Sequence, residues 1–299
     1  MTTRCGFIAV AGAPNAGKST LVNALVGAKV SIVSPKVQTT RSRVLGIAMA
    51  GQSQLLFIDT PGIFQDPKRK LERAMVKAAW SGIGDADFIA LVIDAARGLD
   101  RESAAIVERL ATLSAPRLLV LNKVDLVKPQ ELLGLTAKLN EMIPFDATFM
   151  VSALSGDGVE TLRADLATRV PEGPWHYPED QTADLPMRQL AAELTREQLF
   201  LQLFDELPYS VMVETEQWQE RPDGSVRVEQ VITVMRDGQK AIVLGEKGQR
   251  IKALGAAARA QIGEAIERTV HLFLHVRVRE KWVEDPRQLR AMGLEPDHG

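Results

Sequence analysis

A glycine-rich octapeptide close to the N-terminus reads Gly12-Ala13-Pro14-Asn15-Ala16-Gly17-Lys18-Ser19. An apolar, strand-like run at residues 7–11 precedes it, and a helix-favouring run at residues 20–26 follows it. The two glycines let the backbone turn tightly, so that several N–H groups and the positive end of the next helix point at one anion. Such an octapeptide also occurs by chance in glycine-containing loops. Between a strand and a helix it predicts a phosphate-binding loop, in which Lys18 reaches the β- and γ-phosphates and Ser19 holds Mg²⁺.

A second motif, Asp59-Thr60-Pro61-Gly62, follows an apolar run at residues 55–58. In a protein with a phosphate-binding loop, a carboxylate at this place can join the Mg²⁺ shell, and the N–H of Gly62 can sense the γ-phosphate. A strand that ends in a Pro-Gly turn is common in itself. The motif therefore takes its meaning from its position after the first one.

Two further motifs concern the base of the nucleotide. Asn122-Lys123-Val124-Asp125 and Ser152-Ala153-Leu154 each follow a strand-like run. A carboxylate at Asp125 can accept the guanine N1–H and 2-amino group, neither of which adenine offers. The backbone of residues 152–154 can contact the guanine oxygen. Each motif is a weak signal alone, since a polar strand end has many other uses.

All four motifs lie directly after strand runs, and the carboxyl ends of such strands share one edge of an open sheet. They therefore predict a single guanine-nucleotide site. The candidate contacts are Gly12, Ala13, Pro14, Asn15, Ala16, Gly17, Lys18, Ser19, Thr20, Asp59, Gly62, Asn122, Lys123, Asp125, Ser152, Ala153 and Leu154.

Together with Gln38-Thr39-Thr40-Arg41, the four motifs resemble those of the translation-factor-type small GTPases, and within that class the chain resembles the bacterial Era family. The resemblance implies an α/β P-loop GTPase domain, a mostly parallel sheet with flanking helices, that uses GTP/GDP and Mg²⁺ and hydrolyses GTP to GDP and phosphate. The candidate catalytic residues are Lys18, Thr40 and Gly62, and the candidate Mg²⁺ ligands are Ser19, Thr40 and Asp59, with Thr39 as the alternative to Thr40.

The segment of residues 28–58 contains no acidic residue, and we expect it to order around the γ-phosphate and Mg²⁺ and to relax when the phosphate leaves. The residue after Gly62 is Ile63, whose aliphatic side chain cannot orient an attacking water as a glutamine can. Slow intrinsic hydrolysis is therefore expected, as in a switch. Asn15 is a candidate to help hold K⁺ in place of an arginine finger, as some related GTPases do.

Length and composition fit two globular domains. The chain has 299 residues, of which 45% are hydrophobic and 25% charged, and a formal net charge of −2. Its single cysteine, Cys5, excludes internal disulfides and fits a reducing cytoplasm. No apolar stretch approaches the roughly 18 residues of a membrane span. Because the octapeptide begins at residue 12, no signal or transit peptide is expected before it.

Three prolines in residues 171–178 interrupt the alternation of strands and helices and predict a stiff linker. The predicted organisation is a GTP-binding domain at 1–172, a linker at 173–185 and a second domain at 186–299. The second domain reads as a helix at 187–207, two strands joined at residues 221–224, a glycine loop, two helices divided at Gly255, and a last strand.

The glycine loop reads Gly245-Glu246-Lys247-Gly248, and with the predicted element order around it this half resembles an α+β KH-type RNA-binding domain. Residues 236–281 hold ten Lys/Arg and five Asp/Glu, a net charge of +5, which favours contact with phosphates. The outer face of the last strand, His271 to Arg279, is either a second surface for RNA bases or an ordinary solvated face. The candidate RNA contacts are Gly245, Glu246, Lys247, Gly248, Arg250 and Lys252.

The resemblance implies that the single-stranded 3′ end of small-subunit (16S) ribosomal RNA and the 30S subunit are partners. It also implies a role in small-subunit assembly and maturation, and a cytoplasmic location with some peripheral inner-membrane association. Two other functions stay open from the residues. One is a non-catalytic RNA-binding protein that holds nucleotide as a structural cofactor; the other is an ATP-dependent enzyme, against which Asn122 and Asp125 argue.

Overall fold

The computed structural model describes residues 2–64, 66–205 and 207–295 and divides them into two compact units. Residues 2–31, 40–184 and 289–295 form the first unit, and residues 32–39 and 185–288 form the second. Within the described ranges, no helix is both long enough and apolar enough to cross a bilayer. The short segment 32–39, which lies in the N-terminal half of the sequence, thus belongs to the C-terminal unit.

The first unit is built on a six-stranded sheet in the order β2-β3-β1-β4-β5-β6, in which only β2 is antiparallel among the described strands. Its strands are β1 (Arg4–Ala11), β2 (Val44–Ala50), β3 (Ser53–Asp59), β4 (Phe88–Asp94), β5 (Arg117–Asn122) and β6 (Ala147–Val151). Its helices are α1 (Lys18–Val26), α2 (Lys70–Gly84), α3 (Arg101–Leu110), α4 (Pro129–Met142) and α5 (Val159–Arg169). The predicted mostly parallel α/β architecture is confirmed.

Helices cover both faces of this sheet, which explains why its central strands are almost continuously apolar. In β1, Ile8 and Val10 pack with residues of α1 and α5, whereas Ala9 and Ala11 pack with residues of α2, α3 and α4. Two separate cores result, one on each side of the sheet. The parallel strands end at one edge of this sheet, where the four sequence motifs lie.

Strand β2 was not expected, because residues 28–58 were predicted as one mobile segment. In the structure, β2 pairs with β3 from Val44↔Asp59 to Ala50↔Ser53. The turn between them falls at Gly51, which adopts φ of 62°. The pattern of residues 44–50 lacks a polar alternation because Ile47 and Ala48 face opposite sides and are both buried. Only the part of the segment before β2 is left as a loop.

The predicted linker is bound to the first unit over most of its length. The fully buried Gln54 accepts hydrogen bonds from the N–H groups of His176 (2.9 Å) and Tyr177 (3.0 Å) and donates to the Tyr177 carbonyl (2.8 Å). Further along, the Ile47 N–H donates to the Thr182 carbonyl. Residues 173–184 therefore extend the sheet region of the first unit, and the division between the two units falls at residues 184/185.

The second unit has a three-stranded sheet in the order β7-β8-β9, with β7 antiparallel and β9 parallel to β8. Its elements are α6 (Met187–Gln202), β7 (Met212–Glu220), β8 (Val226–Val234), α7 (Asp237–Leu244), α8 (Gln249–Ala265) and β9 (Val270–Val278). A last helix, α9 (Pro286–Ala291), begins in this unit, and its residues from Leu289 onward are assigned to the first unit. Residues of α6 and α8 pack with the inner faces of β8 and β9. The α+β architecture is as predicted.

Three details of the prediction for this unit are wrong. The two helices flank the glycine loop, α7 before it and α8 after it, and α8 continues through Gly255 without a break. A glycine inside a helix costs only about 1 kcal/mol, and the packing of the helix outweighs it. Helix α6 ends at Gln202, short of the predicted residue 207.

The outer face of β9 carries charges that are largely paired within the sheet. Arg277 contacts Glu214 (3.4 Å) and Glu216 (3.3 Å) on β7. The Arg227 guanidinium lies 4.3 Å from the centre of the Phe273 ring. Because these cations already have partners, the ordinary solvated face is the better description of this surface.

We expect Gln54→Leu to destabilise the first unit, since the backbone groups of residues 176 and 177 then lose their partner, at a cost of about 1–3 kcal/mol. The melting temperature should fall by a few degrees, and protease should cut residues 171–184 faster. Gln52→Ala is the matched control, because Gln52 is exposed and contacts Trp175 only through its backbone carbonyl. Equal melting temperatures for the two variants would show that Gln54 does not fix this segment.

Candidate functional site

The phosphate-binding loop lies between β1 and α1 and depends on its two glycines. Gly12 has φ of 152°, and a Cβ there would lie 2.4 Å from the Val92 carbonyl oxygen. Gly17 caps α1 with φ of 92°, and a Cβ there would lie 2.2 Å from Nδ2 of Asn122. No other residue fits either position. The loop therefore places the N-terminus of α1 at the sheet edge, as the sequence predicted.

Lys18 is buried at this edge and donates to the carbonyl oxygens of Gly12 (3.0 Å) and Ala13 (2.9 Å). Its burial lowers its pKa to about 8, an effect that the charges of Asp59 and Glu102 partly oppose. A buried ammonium of lowered pKa favours an anionic ligand, because an added negative charge stabilises its protonated form. The side chain is therefore suited to a phosphate group.

The oxygen atoms of Ser19, Thr40 and Asp59 converge beside the loop. Ser19 Oγ donates to Asp59 Oδ2 at 2.7 Å and lies 2.8 Å from Thr40 Oγ1, and Thr40 Oγ1 lies 3.4 Å from the same Oδ2. Asp59 is fully buried, and its Oδ1 has no hydrogen bond of ordinary geometry among the described residues. Burial raises the pKa of Asp59, while the Ser19 hydroxyl and Lys18 lower it. This cluster of hard oxygen donors fits Mg²⁺.

Thr39 does not join the cluster. Its hydroxyl donates to the Lys36 carbonyl at 2.7 Å and lies 2.6 Å from Ser34 Oγ. The two adjacent threonines thus face different partners, and Thr40 is the one that meets Ser19 and Asp59.

The base-specificity motifs are tied to the phosphate loop by Asn122. Its Nδ2 donates to the Ala16 carbonyl (2.9 Å), and its Oδ1 accepts from the Ala153 N–H (3.0 Å). Lys123 donates to the Asn15 carbonyl (2.8 Å) and pairs with Asp94 (2.6 Å). The structure therefore brings the three motifs together at one edge.

The other residues of the two base-specificity motifs differ in how exposed they are at this edge. Asp125 is exposed within a short 3-10 helix, Val124–Leu126, where its carboxylate can meet a ligand. Ser152 is buried, and its hydroxyl accepts from the Ser155 N–H (3.4 Å). Leu154 is 87% exposed. Because the Ala153 N–H is already used by Asn122, it is not available to the guanine oxygen in this conformation.

Gly62 and the residues after it meet the phosphate loop on the other side. A Cβ on Gly62 would lie 3.0 Å from the Pro14 Cα, so any other residue would require the phosphate loop to shift by a few tenths of an ångström. Ile63 is buried in the core between the sheet and helices α2, α3 and α4, and Phe64 lines a cavity with Trp80 and Arg109. Neither Ile63 nor Phe64 has a polar side-chain atom to orient water.

In the second unit, the glycine loop joins α7 to α8 in an open conformation. Gly245 and Gly248 have φ of 71° and 76°, and Lys247 between them has φ of 50°. A Cβ on Gly248 would meet no atom within 4 Å, so the space outside it is open to a ligand. Lys247 is exposed, and the Arg250 side chain donates to the Ile242 carbonyl at 2.9 Å. Glu246 and Lys252 are also exposed.

Known protein families match both halves of the chain. Residues 7–123 match the family described as "50S ribosome-binding GTPase", and residues 206–283 match the KH domain family. The chain is 59% identical to "GTPase Era" of Brucella suis biovar 1 (strain 1330), over 98% of this chain and 94% of that protein. It is 60% identical to "GTPase Era" of Mesorhizobium japonicum, over 99% and 95% of the two chains. The chain belongs to the Era family of GTPases.

Two solved structures of Era also match this chain over nearly its full length. The crystal structure of Era in complex with MgGDPNP and nucleotides 1506–1542 of 16S ribosomal RNA is 36% identical, with a TM-score of 0.92 over 97% of this chain and 99% of that chain. A variant of Aquifex aeolicus Era bound to GDP.AlF4⁻ gives 35% identity, a TM-score of 0.92 and the same coverage. The resemblance to Era and the two-domain fold class are confirmed, and the protein is a GTPase that hydrolyses GTP to GDP and phosphate.

Sequence reasoning missed some residues of the site of this Era-family GTPase. Asp94, at the end of β4, pairs with Lys123, and Arg97 in the following loop donates to the Pro14 carbonyl at 3.2 Å. Neither belongs to a recognisable motif. The signal that could have found Asp94 is its place directly after an apolar strand, at the same sheet edge as the motifs.

We expect nucleotide affinity to fall about fourfold between pH 7 and pH 8.5, because Lys18 with a pKa of about 8 loses its proton over this range in the free protein. Bound phosphate raises that pKa, so binding must restore the proton. Calorimetry of GDP binding in two buffers of different ionisation enthalpy measures the uptake. Constant affinity and no proton uptake at pH 8.5, where guanine itself is still largely neutral, would contradict the role given to Lys18.

We expect Asp125→Asn to weaken GDP binding by about a hundredfold or more, since a site built around a hydrogen-bonding partner strongly rejects a ligand that cannot pair with it. Xanthosine diphosphate should gain affinity, because the asparagine amide can donate to its 2-oxo group. Competition binding with the two nucleotides measures the change. An unaltered preference for guanine would show that another residue selects the base.

Proposed function

We propose that this protein is a GTP-dependent RNA-binding switch, in which the GTP-bound first unit favours binding of single-stranded 16S ribosomal RNA at the KH domain. The observation that carries the proposal is the position of residues 32–40. Residues 32–39 belong to the second unit, and the next residue, Thr40, completes the oxygen cluster of the first.

The nucleotide roles follow from the geometry of the first unit. The phosphate loop and Lys18 hold the phosphates of GTP, and Gly62 senses the γ-phosphate. Ser19, Thr40 and Asp59 would hold Mg²⁺. When bound, Mg²⁺ neutralises charge on the β- and γ-phosphates. Asn122, Lys123, Asp125 and residues 152–154 form the base end of the site, and the Asp125 carboxylate is the group that selects guanine.

Hydrolysis by this arrangement is slow by itself. The position after Gly62 is filled by the buried Ile63, so the protein lacks there the water-orienting glutamine of faster sites. A slow rate keeps the GTP-bound form populated long enough to act as a signal. This supports a switch over an enzyme of high turnover.

Residues 32–39 are held in the second unit by contacts with α6. The Val33 N–H donates to Glu197 Oε1 at 2.7 Å. Lys36 Nζ donates to the carbonyl oxygens of Phe200 and Leu203 (2.7 Å to Leu203), and it lies 5.5 Å from the centre of the Phe204 ring. Ile32 is buried with Ala191 and Leu194. A lysine on the last carbonyl groups of a helix is favourable, because they carry its negative dipole end.

The γ-phosphate and Mg²⁺ act on the same segment from its other end, through Thr40. When the γ-phosphate leaves, it no longer stabilises the position of Thr40 beside Ser19 and Asp59. Because Thr39 and Thr40 are adjacent, a change at Thr40 disturbs the contacts of Ser34 and Lys36 with Thr39. Nucleotide state can therefore bias the packing of α6, on which the KH sheet rests.

RNA binding is assigned to the glycine loop and the start of α8. Gly245 and Gly248 let an RNA backbone approach, and Lys247, Arg250 and Lys252 supply cations next to it. KH domains read short unpaired segments, which fits the single-stranded 3′ end of 16S ribosomal RNA. The 16S RNA fragment bound by the related Era supports this choice of RNA.

We infer a role in assembly and maturation of the 30S subunit from this choice of RNA. A single cysteine without a disulfide fits a cytoplasmic location. Peripheral inner-membrane association is a prediction from the family resemblance alone.

The test is binding of a short RNA from the 3′ end of 16S ribosomal RNA to the full chain, with GDP or a non-hydrolysable GTP analogue. We expect binding about tenfold tighter with the analogue, within the usual range of coupling between two sites. The combined variant Glu246→Asp/Lys247→Asp should lose most of the RNA affinity in both states. Equal RNA affinity with the two nucleotides would contradict the switch.

Lys36→Ala separates coupling from binding. We expect RNA to bind this variant with similar affinity in both nucleotide states, because the segment no longer holds α6. Lys29→Ala is the matched control, since Lys29 is an exposed lysine of the same chain region in the first unit. Full nucleotide dependence in Lys36→Ala would show that the segment does not carry the coupling.

The K⁺ site at Asn15 is a further proposal. Asn15 lies at the phosphate loop with its carbonyl held by Lys123. If its side chain holds a potassium ion at the nucleotide, hydrolysis should be faster in KCl than in NaCl, and Asn15→Ala should remove the difference. Equal rates in the two salts would exclude the site.

A further inference from the structure

Two cationic side chains hold neighbouring carbonyl groups of the phosphate loop. Lys123 donates to the Asn15 carbonyl at 2.8 Å, and Arg97 Nη1 donates to the Pro14 carbonyl at 3.2 Å. Lys123 belongs to a motif that already has a role. Arg97 lies in the loop between β4 and α3 and is outside all four motifs.

The Arg97 guanidinium is held in place by acidic groups at the start of α3. Its Nη2 lies 2.6 Å from Asp100 Oδ2 and 3.8 Å from Glu102 Oε2. The other oxygen of Asp100 caps α3 by accepting from the Ser103 N–H at 2.8 Å. The backbone of Arg97 is fixed too, since its N–H donates to the Asp94 carbonyl at 3.1 Å. The arrangement aims one guanidinium N–H at Pro14.

The contact with Pro14 fixes a peptide of the phosphate loop. Pro14 has no N–H, so its carbonyl is its only backbone hydrogen-bonding group. In a planar trans peptide, the N–H of Asn15 points opposite to the Pro14 carbonyl. Asn15 itself has φ of 62°, an uncommon conformation for a residue other than glycine, which persists where its surroundings enforce it. Arg97 is part of those surroundings.

This peptide lies at the γ-phosphate end of the loop. A Cβ on Gly62 would lie 3.0 Å from the Pro14 Cα, and Gly62 is the residue assigned to sense the γ-phosphate. With the γ-phosphate placed beside Gly62, the Asn15 N–H can meet the terminal phosphates of GTP. The two terminal nitrogens of the Arg97 guanidinium contact Pro14 and Asp100, so the residue acts on the loop through the Pro14 carbonyl.

We propose that Arg97 is a positioning residue for GTP hydrolysis, which holds the Pro14–Asn15 peptide so that the Asn15 N–H faces the terminal phosphates of GTP. The inference rests on the proposed placement of the γ-phosphate beside Gly62. GDP lacks the γ-phosphate and depends less on this peptide. The role of Arg97 should therefore appear in the GTP-bound state and in the rate.

The test uses the full chain with Arg97→Ala and Arg97→Lys. We expect Arg97→Ala to lower both the single-turnover hydrolysis rate and the affinity for a non-hydrolysable GTP analogue about tenfold, because a misplaced donor loses transition-state contact. The affinity for GDP should change less than twofold. Arg97→Lys should recover part of the rate, since an ammonium can still donate to the Pro14 carbonyl. A merely structural role would not separate the two nucleotides.

Lys138→Ala is the control, an exposed cation on α4 of the same unit. Its rate and affinities should equal those of the wild type. An unchanged hydrolysis rate in Arg97→Ala, or an equal loss of GDP and GTP-analogue affinity, would overturn the inference. The RNA-binding experiment with wild-type protein tests the proposed function separately, so the failure of one is distinguishable from the failure of the other.

Discussion

The side-chain amide of Asn122 lies, almost fully buried, between two loops of the first unit. It donates to the phosphate loop at Ala16 and accepts from the base-side loop at Ala153. The same amide occupies the space in which any side chain at residue 17 would lie. Loss of this one group would leave buried backbone groups of two loops without partners, which is costly because buried polar groups need hydrogen bonds. The relative position of the phosphate and base ends of the site therefore depends on Asn122.

Around this fixed centre, the structure separates rigid from responsive parts. The phosphate loop is held by Asn122, Lys123 and Arg97. The oxygen cluster of Ser19, Thr40 and Asp59 is different, because Thr40 comes from a loop segment whose preceding residues belong to the second unit. A ligand that orders Thr40 therefore acts on a segment whose other contacts lie along α6. The coupling in this account needs no stiff linker, and residues 173–184 are in any case bound to the first unit.

The nucleotide site could be predicted from the sequence because its chemistry requires particular residues at particular spacings. Gly12, Gly17 and Lys18 are examples, since neither the turn nor the phosphate contact tolerates other residues there. The helix-favouring run at residues 20–26 was also informative, since it lies within α1 (Lys18–Val26). The geometry also favours Thr40 over Thr39 as the proposed Mg²⁺ ligand, since Thr40 meets Ser19 and Asp59.

Long-range contacts were beyond sequence reasoning. Strand β2 gains its stability from pairing with β3 and from burial on both faces, neither of which its own pattern reveals. The placement of α7 before the glycine loop depends on its packing against β9. Gly255 lies inside α8, and the packing of α8 against β9 outweighs the low helix propensity of glycine. Arg97 and Gln54 act through backbone groups far away in sequence. Such contacts produce no residue spacing that could be recognised in the sequence.

The central claim is that residues 32–39 respond to the nucleotide at Thr40 and transmit the response to α6. The most direct measurement is hydrogen–deuterium exchange of the full chain with Mg²⁺ and either GDP or a non-hydrolysable GTP analogue. The account predicts stronger protection of residues 32–39 and of the C-terminal turn of α6 with the analogue, and loss of that difference in Thr40→Ala. Identical exchange of both segments in the two nucleotide states would contradict it.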